Sequence, residues 1–102
     1  MKNKYYIFFG NLANPLKIDI LSALKEKPMS VLELASKLKV EQSKLSHALG
    51  SLRRCSIVQV KQEGKKRIYQ LNKKTIVPML ELIDKHEREF CKECMAIRGK
   101  KK

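Results

Sequence analysis

The feature that most constrains this chain is a change of hydrophobic period near its middle. From Ser30 to Leu52 apolar residues recur at helical spacing in two short bursts, and from Ile57 to Leu71 the pattern turns into β-favouring runs. Ser30 offers a side-chain oxygen to cap the first burst, and Glu33, three residues on, completes a capping-box pattern. This predicts a helix from about Val31 to Leu38. Beyond the short stretch Lys39-Val40-Glu41, Leu45, Leu49 and Leu52 step by four and three and mark another helix, so two short helices flank a tight turn. The runs Ile57-Val58-Gln59-Val60 and Arg67-Ile68-Tyr69-Gln70-Leu71 then enclose Lys61-Gln62-Glu63-Gly64-Lys65-Lys66, which reads as a β-hairpin with a basic, glycine-containing tip.

Helical spacing also brackets this centre. From Asn11 to Lys27 the apolar positions Leu12, Leu16, Ile20, Leu21 and Leu24 predict a helix with Pro15 in its first turn and Pro28 as its stop. From about Thr75 the period returns and predicts a last helix over about 75–98, followed by Gly99 and a basic tail at 99–102. The opening MKNKYYIFFG holds a short apolar run that ends at Gly10 without a small-residue cleavage site, so it does not read as a signal peptide. No run reaches the roughly 20 apolar residues of a membrane span, and the expectation is one cytoplasmic domain over 1–102.

Charge narrows the partner. The 23 Lys and Arg against 10 Asp and Glu give +13, which asks for a polyanion. The basic residues are spread through folded segments and do not line one amphipathic helix, which favours nucleic acid over a membrane surface. With Leu45, Leu49 and Leu52 inward, the helix that follows the turn presents Gln42, Ser43, Lys44, Ser46, His47 and Ser51 outward. These are donors and acceptors suited to base edges and phosphates in a major groove. An ordinary solvated helix face would carry more Glu and Lys and fewer hydroxyls. Gln42 is the best base reader, because its amide can bond adenine in bidentate fashion. Around Gly64, Lys61, Lys65, Lys66 and Arg67 form a cationic finger suited to backbone or minor-groove contact. The expected fold is therefore α+β and mainly α: a winged helix-turn-helix with a two-stranded wing and a long C-terminal dimerisation helix.

The segments NLANPLKIDILSAL, VEQSKLSHALGSLRRCSIV and QEGKKRIYQLN resemble the ArsR/SmtB family of prokaryotic repressors. The first is similar to that family's leading "L-x-[DN]-P-x-R-x-x-I-L" helix. The second is similar to its recognition helix "S-Q-S-x-[VIL]-S-x-H-L", and the third to its wing "x-x-G-[KR]-x-x-x-Y-x-L". The resemblance covers Asn11 to Leu71, with Lys17 in place of the usual Arg and Glu41 in place of the usual Ser or Thr. It implies a homodimer that binds double-stranded DNA, represses a promoter and, in many members, lets go when an inducer binds. The family's "C-x-C" metal motif falls on Ser30 and Leu32, which are not ligands. Its "D-x-H…H-x-x-[EH]" zinc pattern is met by Asp84 and His86 but falls on Ile97 and Lys100 in its second half.

The last helix carries a seam of its own at Ile76, Leu80, Ile83, Glu87, Phe90, Cys94 and Ile97, most simply a dimer stripe. At helical angles Asp84, Glu87, Cys91 and Cys94 fall along one flank of it, where carboxylates and thiolates can hold a transition metal. Cys91 and Cys94 can instead form a reversible disulfide, or simply be half-buried without a role. Cys55, at the end of the recognition helix, reads as a core residue. No enzyme is indicated: the three cysteines with His47 and His86 carry no catalytic signature, and no serine has a G-x-S-x-G context. A winged helix that binds a protein is the rival class, and its recognition helix would be acidic or apolar outside.

Overall fold

The computed structural model describes residues 3–91. The chain divides into two compact units, Met1–Asn72 and Lys73–Lys102.

The first unit opens with a helix that sequence spacing did not resolve, α1 (Lys4–Leu12), and continues into α2 (Pro15–Glu26). The expected single helix over Asn11–Lys27 is thus broken after Leu12. Ala13 caps the end of α1, and Asn14, extended, starts the next helix by accepting from the Lys17 amide with its side-chain oxygen, with Pro15 following at the first helical position. Asn3 does the same for α1, accepting from the Tyr5 amide at 2.8 Å.

A two-residue strand β1 (Met29–Ser30) leads into α3 (Val31–Leu38), and the reciprocal capping box is present: the Glu33 amide donates to Ser30 Oγ, and the Ser30 amide donates to the Glu33 carboxylate. Lys39 ends α3 in the left-handed region at φ 57°, and α4 (Gln42–Arg54) follows. The hairpin strands are β2 (Val58–Glu63) and β3 (Lys66–Leu71). Glu63 pairs with Lys66, so the strands run further than the apolar runs indicated and the turn shrinks to Gly64-Lys65. Gly64 alone of the turn pair has a positive φ, 63°, the signature of a type II′ turn.

β1 pairs with β3 through Met29–Tyr69 and Ser30–Ile68, making a three-stranded antiparallel sheet in the order β1-β3-β2 where two strands were expected. Two residues are too few to carry a period, so the sequence does not show this strand. The core gathers one stripe from each of α2, α3 and α4 over the sheet's inner face: Ile20, Leu34, Leu45, Leu49, Leu52 and Ile57 are fully buried. Burying side chains of this kind stabilises the fold by about 1.5–3 kcal/mol each. A helical unit with a helix-turn-helix and a hairpin is a winged helix-turn-helix.

The second unit consists, within the described residues, of α5 (Ile76–Phe90), with Cys91 as its C-cap at φ −125°. Of the expected helix over about 75–98, the described part runs to Phe90. Residues 92–102, including Cys94, Ile97 and the basic tail, lie outside the described residues.

Candidate nucleic-acid interface

The leucine stripe of α4 faces the core and decides what the rest of the helix presents. Leu45, Leu49 and Leu52 are fully buried, and Gln42, Ser43, Lys44, Ser46 and His47 are all exposed on the remaining surface. Helix α3 braces α4 through its own buried Leu34, while the αL residue Lys39 lets the chain reverse in three residues between them. The N-terminal half of α4 thus carries short polar side chains on a rigid support, the arrangement that major-groove readout requires.

In the hairpin, Lys61, Lys65, Lys66 and Arg67 are exposed around the Gly64 turn, with Lys65 inside it and the other three on strands. Gln62 steadies the tip by donating from Nε2 to the Gly64 carbonyl at 2.9 Å. The Glu63–Lys66 pair puts one carboxylate among these cations.

Ser51 departs from its expected outward role. It is half-buried, and its hydroxyl stands 3.0 Å from Lys17 Nζ and 3.1 Å from Asn11 Oδ1. Lys17 Nζ also donates to Asn11 Oδ1 at 2.6 Å, so α1, α2 and α4 are pinned to one another at a polar knot. Periodicity gives the angle of Ser51 on its helix but not what stands beside it, and the segment that does so is the one broken at Asn14. Cys55 is likewise not core: it caps α4, is exposed, and accepts from Asn11 Nδ2 at 3.1 Å. It lies one turn past Leu52, where α4 has already left the core.

Of the possible metal flank on α5, Asp84, Glu87 and Cys91 are described and Cys94 lies outside; among the described residues no group of three or more His, Cys, Asp or Glu is placed to hold a metal ion. Along the seam Ile76 is buried, whereas Ile83 is 44% and Phe90 76% exposed, beside a cavity of about 490 Å³ lined by Met79, Leu82 and His86 as well. The face of α1 is similar, with Tyr6 77% exposed and Tyr5, Ile7 and Phe9 also open. This aromatic face, missed with α1 itself, was visible as the run Tyr5-Tyr6-Ile7-Phe8-Phe9. No helix among the described residues is long and apolar enough to cross a membrane.

A sequence profile described as "Bacterial regulatory protein, arsR family" matches residues 14–60. The chain is 33% identical to the transcriptional activator HlyU of Vibrio cholerae over 86% of this chain and 79% of that protein. It is 40% identical to the uncharacterised HTH-type transcriptional regulator Rv0081 of Mycobacterium tuberculosis over 72% of its own length, and spans 65% of the length of that relative. Among solved structures, the crystallised Rv0081 chain superposes with a TM-score of 0.78 at 32% identity, covering 93% of this chain and 99% of that one. The solved HlyU gives 0.71 at 33% identity, covering 86% and 92%. A homodimeric winged helix-turn-helix domain of Mycobacterium bovis gives 0.70 at 18% identity, covering 87% and 89%, a likeness of fold alone.

Proposed function

Because this chain belongs to the arsR family of bacterial regulatory proteins, a family of DNA-binding regulators and not of enzymes, we propose that it is a cytoplasmic, homodimeric repressor that binds double-stranded DNA sequence-specifically. The observation that carries this reading is the exposed row Gln42, Ser43, Lys44, Ser46 and His47 on a helix whose opposite face is fully buried. Gln42 and Ser46 read base edges in the major groove. The wing cations Lys61, Lys65, Lys66 and Arg67 hold phosphates beside it. A homodimer carries two such rows, one for each of two successive major grooves. The 102 residues work as one DNA-binding domain, and promoter occupancy excludes polymerase.

Selection of duplexes from a random pool by the full chain, followed by gel-shift titration, tests this. A dimer touching ~8 phosphates gives a log–log salt slope near ~−7 at about −0.9 per phosphate. Failure to enrich any sequence, with a slope shallower than about −3 on all DNA, would point to the protein-binding class instead.

A further inference from the structure

Four residues on α4, Lys44, His47, Ser51 and Arg54, are spaced by three, four and three, so they form a second stripe between the buried leucines and the exposed Gln42–Ser46 edge. Across from it stands the N-terminal turn of α2. The two enclose a cavity of about 320 Å³ whose lining includes Asn14, Lys17, Lys44, His47, Ser51 and Arg54.

We propose that this groove is a clamp for a single DNA backbone phosphodiester, a contact made by α2 and the rear of α4, separate from both base readout and the wing. The inference rests on the DNA-binding reading above and adds Lys17 and Arg54 to it. Three cations line one cavity, and none of Lys17, Lys44 or Arg54 is ion-paired with a carboxylate within the described residues. What binds there must therefore bring its own negative charge. The Lys17 ammonium is held in place beforehand, 2.6 Å from Asn11 Oδ1 and 3.0 Å from Ser51 Oγ, both uncharged acceptors that position it without neutralising it. A cation already fixed by its neighbours loses little side-chain freedom when it meets a phosphate. The positive end of the α2 dipole, starting at Pro15 behind the Asn14 cap, opens on the same side. A strand whose bases meet Gln42 and Ser46 carries its phosphates along the rim of α4, which makes a DNA phosphodiester the occupant that fits the position.

The test uses the full chain and the duplex it selects, with a scrambled duplex beside it. Arg54→Gln and Lys17→Gln should each weaken binding to both duplexes alike and, acting once in each half of the dimer, reduce the steepness of the salt slope by up to about 1.8. The gap to wild type then narrows by up to about 12-fold as salt rises from about 50 to about 200 mM. Arg54→Lys and Lys17→Arg, which keep the charge, should restore the slope. Replacing one phosphate at a time by an uncharged methylphosphonate should show one position per half-site at which wild type loses more affinity than Arg54→Gln does. The Arg54 side chain makes no hydrogen bond or ion pair among the described residues, so its variant keeps the test valid even if Lys17→Gln loosens the knot with Asn11 and Ser51 and melts early. Unchanged slopes in folded Arg54→Gln would overturn the clamp while leaving DNA binding intact. Loss confined to the selected sequence would overturn it too, by making Arg54 a base reader. If inorganic phosphate exchanged for chloride at constant ionic strength displaces DNA from wild type but not from Arg54→Gln, the groove is a free-anion site and the proposal fails. If wild type selects no DNA at all, the DNA-binding reading falls first.

Discussion

Arg54 folds back over Gly50 one turn earlier, its Nη1 lying 3.8 Å from where a β-carbon on Gly50 would stand. That separation is ordinary van der Waals contact, so the glycine is not required by crowding, and its backbone is helical within α4. Glycine inside a helix costs about 1 kcal/mol relative to alanine. Gly50→Ala is therefore expected to stabilise the protein by about 0.5–1 kcal/mol and to raise the melting temperature by a few degrees, at roughly 4–8 °C per kcal/mol for a chain of this size. A fall in melting temperature would mean that the guanidinium cannot yield the space.

The capping box makes a pH-dependent contribution whose sign follows from its geometry. The Ser30 amide donating to the Glu33 carboxylate holds that carboxyl below its ordinary value of 4.5, partly opposed by desolvation. A lowered folded value means that the stabilisation is complete above the unfolded value and is lost as pH falls through the folded one. The stability gap between wild type and Glu33→Gln should thus be constant near neutrality and shrink below about pH 4.5. Ser30→Ala, which removes the other half of the box, should cost about 1 kcal/mol at neutral pH. Urea unfolding at pH 7, 4 and 3 decides both; a gap to Glu33→Gln that stays level across that range contradicts the assignment.

Contacts to bases and to phosphates should separate by mutation. Gln42→Ala and Ser46→Ala are expected to relax preference for the selected sequence, with each lost bidentate base contact costing about 1–3 kcal/mol. Lys65→Ala and Arg67→Ala should weaken binding to every sequence. Ser51→Ala belongs to neither group: its hydroxyl serves Lys17 and Asn11, so the expected result is lowered stability with sequence preference retained. Gel-shift titration on selected and scrambled duplexes, beside thermal melts, distinguishes the three behaviours.

Local devices of this fold are legible in the sequence, whereas its long-range partners are not. The leucines of α4, the Ser30–Glu33 cap and the Gly64 turn were legible because each is a local device whose residues announce it. The extent of the hairpin was not: Lys61, Gln62, Glu63 and Lys66 are exposed strand residues, and a strand that buries neither face there shows no alternation. Nor was α1, since its aromatic run leaves most of its surface in solvent and places only Leu12 among the buried residues. The polar knot of Lys17, Asn11 and Ser51 joins residues up to 40 positions apart, and helical period within one segment cannot reveal such a partner.

The apolar side chains that remain open carry the last prediction. Leu82, Ile83 and Phe90 on α5 are 66%, 44% and 76% exposed, an unusual amount of large apolar surface for so short a helix in water. Contiguous exposed apolar surface on a small protein marks an interaction site. A second copy is the occupant we expect, because two rows of DNA contacts need to be linked before half-sites about one helical turn apart can be bound together. Ile83→Glu and Phe90→Lys place charge in that surface and should give monomers in sedimentation at micromolar concentration. Their affinity for the selected duplex should fall steeply, while each monomer keeps its fold, since neither side chain is buried within the chain. A wild type that sediments as a monomer, or charged variants that remain dimeric, would remove α5 from the dimer interface.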